Sequence, residues 1–293
     1  MTPLPQLRLS KAHSSKLGYF RRFGLLGILA LLFVALFIGQ HLAAGGDPSL
    51  EARYATQLSY VLSDVGDLAR AEDVVRRALD RLKEDDDPYM RVRLYWSIAR
   101  LALAEGRATV ALANVRKAIA LLQATDDTLH LARAHILAAN IVLMRDDADA
   151  AELHLAKAEQ LLSTPASTED VIEITLQRAR IATLRSNGGA AVELARTALE
   201  LIGDGRPIDE GRAFSVLAAG LALSGEMAGA DEAYRRAADL LEQEGRWRDA
   251  ASACRSWGRL LRQNGREEQA LDVLERAAEL GMRATPAESR VER

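Results

Sequence analysis

The sequence predicts an all-α array of six stacked helix pairs, on three observations. First, small residues recur at a fixed period. Alanines recur early in a second helix at Ala71, Ala111, Ala151, Ala191, Ala230 and Ala270, and again later at Ala78, Ala118, Ala158, Ala198, Ala237 and Ala277. The steps are 40, 40, 40, 39 and 40 residues, so six copies cover Asp47 to Gly281. Self-similarity of this period marks a solenoid of stacked units, each unable to bury its apolar stripe alone. Second, each copy holds two apolar helical patterns around a polar break, as in VRLYWSIARLALAEGRATVALANVRKAIALL from Val92 to Leu122. Third, no strand pattern appears. Aromatics make up only 5% of the chain and the apolar content is mostly Ala and Leu, which suits closely packed helices.

Taken in order, residues 1–22 form a basic tail with Arg8, Lys11, Lys16, Arg21 and Arg22 and no acidic residue. Phe23 to Ala44 is apolar, and its 22 residues would span roughly 33 Å as a helix, enough for a hydrocarbon core of about 30 Å. This stretch is expected to be a transmembrane helix. The positive-inside rule then keeps the N-terminus in the cytoplasm and puts the repeats outside a bacterial cytoplasmic membrane, single-pass. A basic start before an apolar run also describes a cleaved signal peptide, and both readings stand. Only five of 38 basic residues are lysine, a composition that points to a GC-rich bacterial genome.

Gly45-Gly46 is a hinge, and Asp47-Pro48 then opens the first repeat as N-cap and first helical residue. Asp87-Pro88 repeats the device, and Thr164-Pro165 and Arg206-Pro207 mark further boundaries. Helix pairs are expected near 48–65 and 68–83, 88–105 and 108–123, 127–144 and 148–163, 168–186 and 189–202, 208–224 and 227–243, and 246–264 and 267–280. The solenoid thus spans 47–281. Gly281 should stop the last helix, and 282–293 should be a disordered tail.

The chemistry expected is slight. Cys254 is the one cysteine, which excludes an internal disulfide framework. No phosphate-binding glycine loop, nucleophile elbow or paired-carboxylate motif stands out, so the chain is not read as an enzyme. His130 and His135 fall on different faces of one helix and make no zinc set with His154, so they read as surface histidines. No metal, cofactor or nucleic acid is expected.

The eighth position of each first helix holds Ser59, Ala99, Ala139, Ala179, Ala218 and Gly258, and the inter-helix turn holds Gly66, Gly106, Asp146, Ser186, Gly225 and Gly265. With the paired alanines, these offsets resemble the tetratricopeptide repeat, although Asp146 and Ser186 depart from its glycine and the period is longer. The resemblance covers about four-fifths of the chain and implies a right-handed superhelical solenoid that binds proteins or peptides. The longer helices are similar to the repeat domains of bacterial regulators, including actinobacterial helix-turn-helix proteins. A second reading is therefore the peptide-sensing domain of a cytoplasmic transcriptional regulator lacking its DNA-binding part.

In solenoids of that family the first helices line the concave groove, and positions two, five, nine and twelve point into it. Carried onto this chain, those positions imply a basic, partly aromatic groove of Arg53, Arg93, Trp96, Arg100, Arg133, Asn140, Arg180, Arg212 and Arg259. Removing the five N-terminal positive charges from the net −3 leaves −8, so the groove is basic on an acidic domain. Arginine holds carboxylates bidentately, which points to a protein or acidic peptide partner. The alternative is that second-position arginines brace acids of the neighbouring repeat. The combined expectation is a membrane-anchored scaffold or adaptor.

Overall fold

The computed structural model describes residues 47–64, 66–83, 87–162 and 166–284. Among them are twelve α-helices in six antiparallel pairs and no strand. In order these are α1 (Pro48–Asp64), α2 (Leu68–Arg81), α3 (Pro88–Ala104), α4 (Ala108–Leu122), α5 (Thr128–Leu143), α6 (Ala148–Leu161), α7 (Thr168–Leu184), α8 (Gly188–Ile202), α9 (Pro207–Leu223), α10 (Met227–Gln243), α11 (Trp247–Gln263) and α12 (Glu267–Arg283).

Local chemistry sets the starts and stops. The carboxylates of Asp67, Asp127 and Asp147 accept from the N–H groups of Arg70, His130 and Ala150, and the Asn187 amide oxygen accepts from Ala190 N–H. Asp87 does the same for Tyr89 N–H, with Pro88 at the first helical position. These bonds satisfy N–H groups that a helix start otherwise leaves open. The first helices close by one repeated device. In the second repeat Gly106 N–H donates to the Leu103 carbonyl and Arg107 N–H to the Ala102 carbonyl, a Schellman closure around a residue with φ of +78°. Asp146 and Ser186 take the same turn at φ of +56°, at a cost of about 1 kcal/mol each for a side chain there. Their departure from glycine is therefore in sequence, not in backbone.

All twelve period-defining alanines are buried, none more than 3% exposed, and Ser59, Ala99, Ala139, Ala179 and Ala218 are fully buried beside them. Small side chains at these points let the helix axes approach, and Leu, Ile and Val close the layers between pairs. Buried residues of adjacent repeats merge into shared clusters, such as that running from Val92 on α3 to Ile181 on α7. Each pair thus completes its core with its neighbours. Cys254 is buried among these side chains, and burial pushes its thiol upward.

Two expectations are corrected. The last helix does not stop at Gly281, which lies inside α12 without a left-handed backbone; the helix runs on to Arg283. The membrane localisation, with the repeats on its outer side, is overturned. Among the described residues no helix is long and apolar enough to cross a membrane. All are 14 to 17 residues long, short of the roughly 20 that a span needs, and amphipathic rather than apolar all round. The 1–22 and 23–44 segments on which that expectation rested lie outside the described residues, as do 285–293 of the expected tail.

Candidate functional site

First helices of successive repeats touch one another at four of the five junctions: α1 with α3, α5 with α7, α7 with α9 and α9 with α11. Successive second helices make no comparable contact among the described residues. Helices on the inside of a bend lie closer together than those outside it, so the first helices form the concave side. The bend accumulates until Arg248, in the first turn of α11, donates from Nη1 to the carbonyl of Ala104 at the end of α3. The second and sixth repeats thereby meet across the mouth of a trough.

Each first helix presents one stripe to that trough. Arg53 on α1 and Arg93 on α3 are exposed near the helix starts. Trp96 is half-buried and packs its ring against the core, so only part of it faces solvent. Arg100 lies over the Tyr60 ring of the preceding repeat, 3.8 Å from its centroid, a cation–π contact across the repeat boundary. Arg133 donates from Nε and Nη2 to both carboxylate oxygens of Asp170 on α7, at 3.0 to 3.3 Å. Arg212 on α9 grips Glu173 on α7 through two nitrogens, each at 2.9 Å. Arg180 on α7 donates from Nη1 to Asn140 Oδ1 on α5 at 2.8 Å. Arg259 on α11 reaches only Ser256 of its own helix among the described residues, at 3.1 Å. The fold thus brings Asn140, Arg180 and Arg212 into one neighbourhood, while Arg53, Arg93 and Arg259 are exposed elsewhere on α1, α3 and α11.

The electrostatics follow from depth. Burial pushes the Asp170 carboxyl up, but bonds from Arg133 and Ser167 outweigh it and hold the group below its usual range. Glu173 is likewise raised by burial and, on balance, lowered by the charge and bonds of Arg212 and the amide of Gln177. Arg180 is the exception. Burial and the like charge of Arg212 both weigh against its proton, and its pKa falls. Yet a third of the Arg212 side chain (33%) and a quarter of Glu173 (24%) remain open to water. The floor of the trough is thus crowded by protein but wet.

Asp170, Glu173 and Tyr60 were not among the site residues read from sequence. For Glu173 a signal existed: at the second position, successive repeats read Arg133, Glu173, Arg212, opposite charges on helices roughly 10 Å apart. Asp170 lies a turn earlier, and its role depends on the Ser167 cap beside it. One turn beyond the ninth position the stripe becomes apolar, with Met144, Leu184 and Leu223 at 41%, 39% and 46% exposure. A separate cleft of about 320 Å³ lies where α10, α11 and α12 meet, lined by Asp231, Arg235, Trp257, Leu261, Arg266 and Gln269. It lies off the first-helix stripe, and Asp231 at its edge is already bonded by Trp257 and Arg266.

No family model and no curated protein matches the sequence. Solved structures do. The apo form of RapI superposes with a TM-score of 0.67 at 15% identity, covering 91% of this chain and 95% of that one. NprR in complex with its cognate peptide NprX gives 0.65 at 12% identity, over 91% and 78% of the two chains. A Rap protein complexed with competence and sporulation factor gives 0.61 at 12% identity, over 80% and 77%. The fold is that of the tetratricopeptide-like repeat proteins.

Within this tetratricopeptide-like array one buried polar contact stands apart from the trough. His135 on α5 is buried, not on the surface as its sequence context suggested, and its Nδ1 lies 2.9 Å from His154 Nδ1 on α6. One ring must donate and the other accept, so the accepting ring is neutral and at most one of the two can carry a proton charge. Burial, the neighbouring His154 and Lys157 lower the His135 pKa to about 4, and burial, Lys157 and Arg116 lower that of His154. Both values fall below those of the unfolded chain, so the unfolded state binds more protons as the pH drops below about 6.5. The pair's contribution is complete above that pH and is lost on the way to pH 4. Thermal unfolding between pH 7 and 5 should show a loss of about 2 kcal/mol that is smaller in His135→Leu, where only His154 is left to titrate. Parallel pH profiles for the two proteins would contradict this.

Proposed function

We propose that the chain is a scaffold that binds a protein or peptide partner along the concave face of its first helices and carries out no chemistry of its own. The observation that supports this most directly is the closure of the array, in which Arg248 reaches Ala104 and the polar stripes enclose a wet trough. Two structures of the same fold hold such a partner, NprR its cognate peptide NprX and a Rap protein competence and sporulation factor. The two carboxylates at the trough floor, Asp170 and Glu173, are tied to Arg133 and Arg212 rather than poised as acid, base or nucleophile, which supports a binding role. The peptide-sensing half of the regulator reading rests on the same geometry.

A photo-crosslinking amino acid tests the site. Placed at Trp96 or Ser215 on first helices, it should capture peptides that the full chain enriches from a random displayed library. Placed at Leu153, exposed on a second helix, it should not. Capture at Leu153 alone would move the binding surface to the outer face and end this reading.

A further inference from the structure

We propose that the two ends of the array join between molecules. The α1 end of one copy stacks on the α12 end of another, so that copies of the chain assemble head to tail.

Each repeat junction buries the same rows of side chains. With steps of 40, 40, 40, 39 and 40 residues, Tyr54 falls in one row with Leu94, Ala134, Ile174, Ala213 and Ala253, and all of these later members are buried. Val61 falls in a row with Leu101, Ile141, Ile181, Gly220 and Leu260, again all buried. Both rows face the preceding repeat, since Leu94 and Leu101 on α3 belong to the same core cluster as Val75 on α2. The first repeat has no predecessor among the described residues. There Tyr54 is half-buried and Val61 is 38% exposed.

The other end mirrors this. Leu274 follows Val75, Val115, Leu155, Ala195 and Tyr234, all buried, yet is itself only half-buried. Leu271, one turn before it, is 57% exposed. The two end helices thus carry the two halves of one kind of junction, each apolar where a neighbouring repeat would sit.

The fit between these halves decides the occupant. Two rows touch at the internal junctions, that of Leu58 on first helices and that of Leu271 on second helices. Arg178 donates to Glu152 at 3.2 Å, Trp257 Nε1 donates to Asp231, and Leu217 shares a core cluster with Val192. Each junction matches its own pair, ion with ion, donor with acceptor or apolar with apolar. Between copies the pair is Leu58 with Leu271, apolar on both sides. Val61 joins them, because a methyl group on its row-mate Gly220 would meet Val192 at 3.0 Å. On the concave side, Arg100 lies over the Tyr60 ring at the first junction. Arg259 stands in the same row, bonded only to Ser256 of its own helix among the described residues. Between copies it reaches the exposed Tyr60 ring for a second cation–π contact. None of these rows sets like charges against each other.

Burying Val61, Leu271 and Leu274 follows the hydrophobic gain that already holds the repeats together. The contact joins two different surfaces, so it does not close on itself and gives open chains rather than dimers.

Sedimentation equilibrium of the full chain tests this, together with Val61→Glu and Leu271→Glu, each of which charges one end. Both side chains are exposed, so both variants should melt with the parent; Val61→Ser and Leu271→Ser replace any glutamate variant that does not fold. The parent's average mass should climb with concentration past that of a dimer. Either variant alone should associate about tenfold or more weakly. Mixed in equal amounts they should form a single heterodimer and nothing larger, because Leu271→Glu keeps an intact α1 end and Val61→Glu an intact α12 end. A parent that stays monomeric at every concentration overturns the proposal, its ends then being covered within the same chain. A Val61→Glu protein that dimerises as the parent does also overturns it, since two α12 ends would then be meeting. So does association that both variants keep, which runs through another surface, and so does a mixture that stays monomeric.

Discussion

Replacing Arg133 with alanine should lower the stability of the array by about 3 kcal/mol, equivalent to roughly 6–12 °C in melting temperature for a domain of this size. The reason lies with the partner left behind. The Asp170 side chain is only 7% exposed and depends on Arg133 for three of its contacts, keeping Ser167 Oγ as its remaining side-chain donor. Breaking a buried pair by removing one member costs about 3–5 kcal/mol, because an uncompensated charge stays behind. Arg133 itself is 39% exposed, so water already shares its pairing and the lower end applies. The double variant Arg133→Ala with Asp170→Leu should cost less than Arg133→Ala alone, since no carboxylate is then stranded between α5 and α7. Thermal unfolding followed by circular dichroism checks both. An Arg133→Ala protein that melts within a degree of the parent would mean that the pair does not brace the repeats.

Arg133 also shows how far the sequence could be read. The period and its alanines, from Ala71 to Ala277, were legible because close helix packing needs small residues at set offsets and nothing distant alters that requirement. Helix limits were legible to within about three residues, since caps such as Asp87 with Pro88 act locally. Asp146 and Ser186 looked like breaks in the pattern, but a turn stabilised on both sides by its repeat tolerates one strained residue. The site was legible as a row of positions, not as a set of bonds. Whether Arg133 faces a guest or a neighbour depends on Asp170, whose placement follows from a serine cap on the next first helix. His135 lay beyond reading for the same reason, because its partner His154 belongs to the second helix of the pair. Closure through Arg248 and Ala104 was the least legible feature. It is the sum of small rotations over four junctions, and no single repeat encodes it.

One of those junctions offers the sharpest contrast between adjacent residues. Gly188→Ala should destabilise the array by about 3 kcal/mol, whereas Gly189→Ala should be neutral or stabilising by about 0.5 kcal/mol. A methyl group on Gly188 would stand 2.6 Å from Ser224 Oγ, 2.9 Å from the Gly220 carbonyl oxygen and 2.9 Å from Ser224 N. The hydroxyl can rotate away, but the two backbone atoms belong to the end of α9 and move only with the helix. From the other side, a methyl group on Gly220 would meet Ala191, Val192 and the Val192 N atom at 3.0 Å each. The two glycines are therefore what lets α8 and α9 touch, backbone against side chain, between the fourth and fifth repeats. At Gly189 an added methyl meets nothing within 4 Å, so only the lower chain entropy and better helix propensity of alanine count there. The junction carries the trough as well, because Arg180 and Glu173 lie on one side of it and Arg212 on the other. Forcing α9 away should lengthen the Arg212–Glu173 contacts and weaken peptide capture in Gly188→Ala beyond what the fall in melting temperature explains. Calorimetric unfolding of the two single variants, with capture of library peptides by the crosslinker at Trp96 measured well below their melting points, reads out both effects. Equal melting temperatures for Gly188→Ala and Gly189→Ala would show that the α8–α9 contact yields to a methyl group at no cost, and the fourth and fifth repeats would then be free to shift against each other.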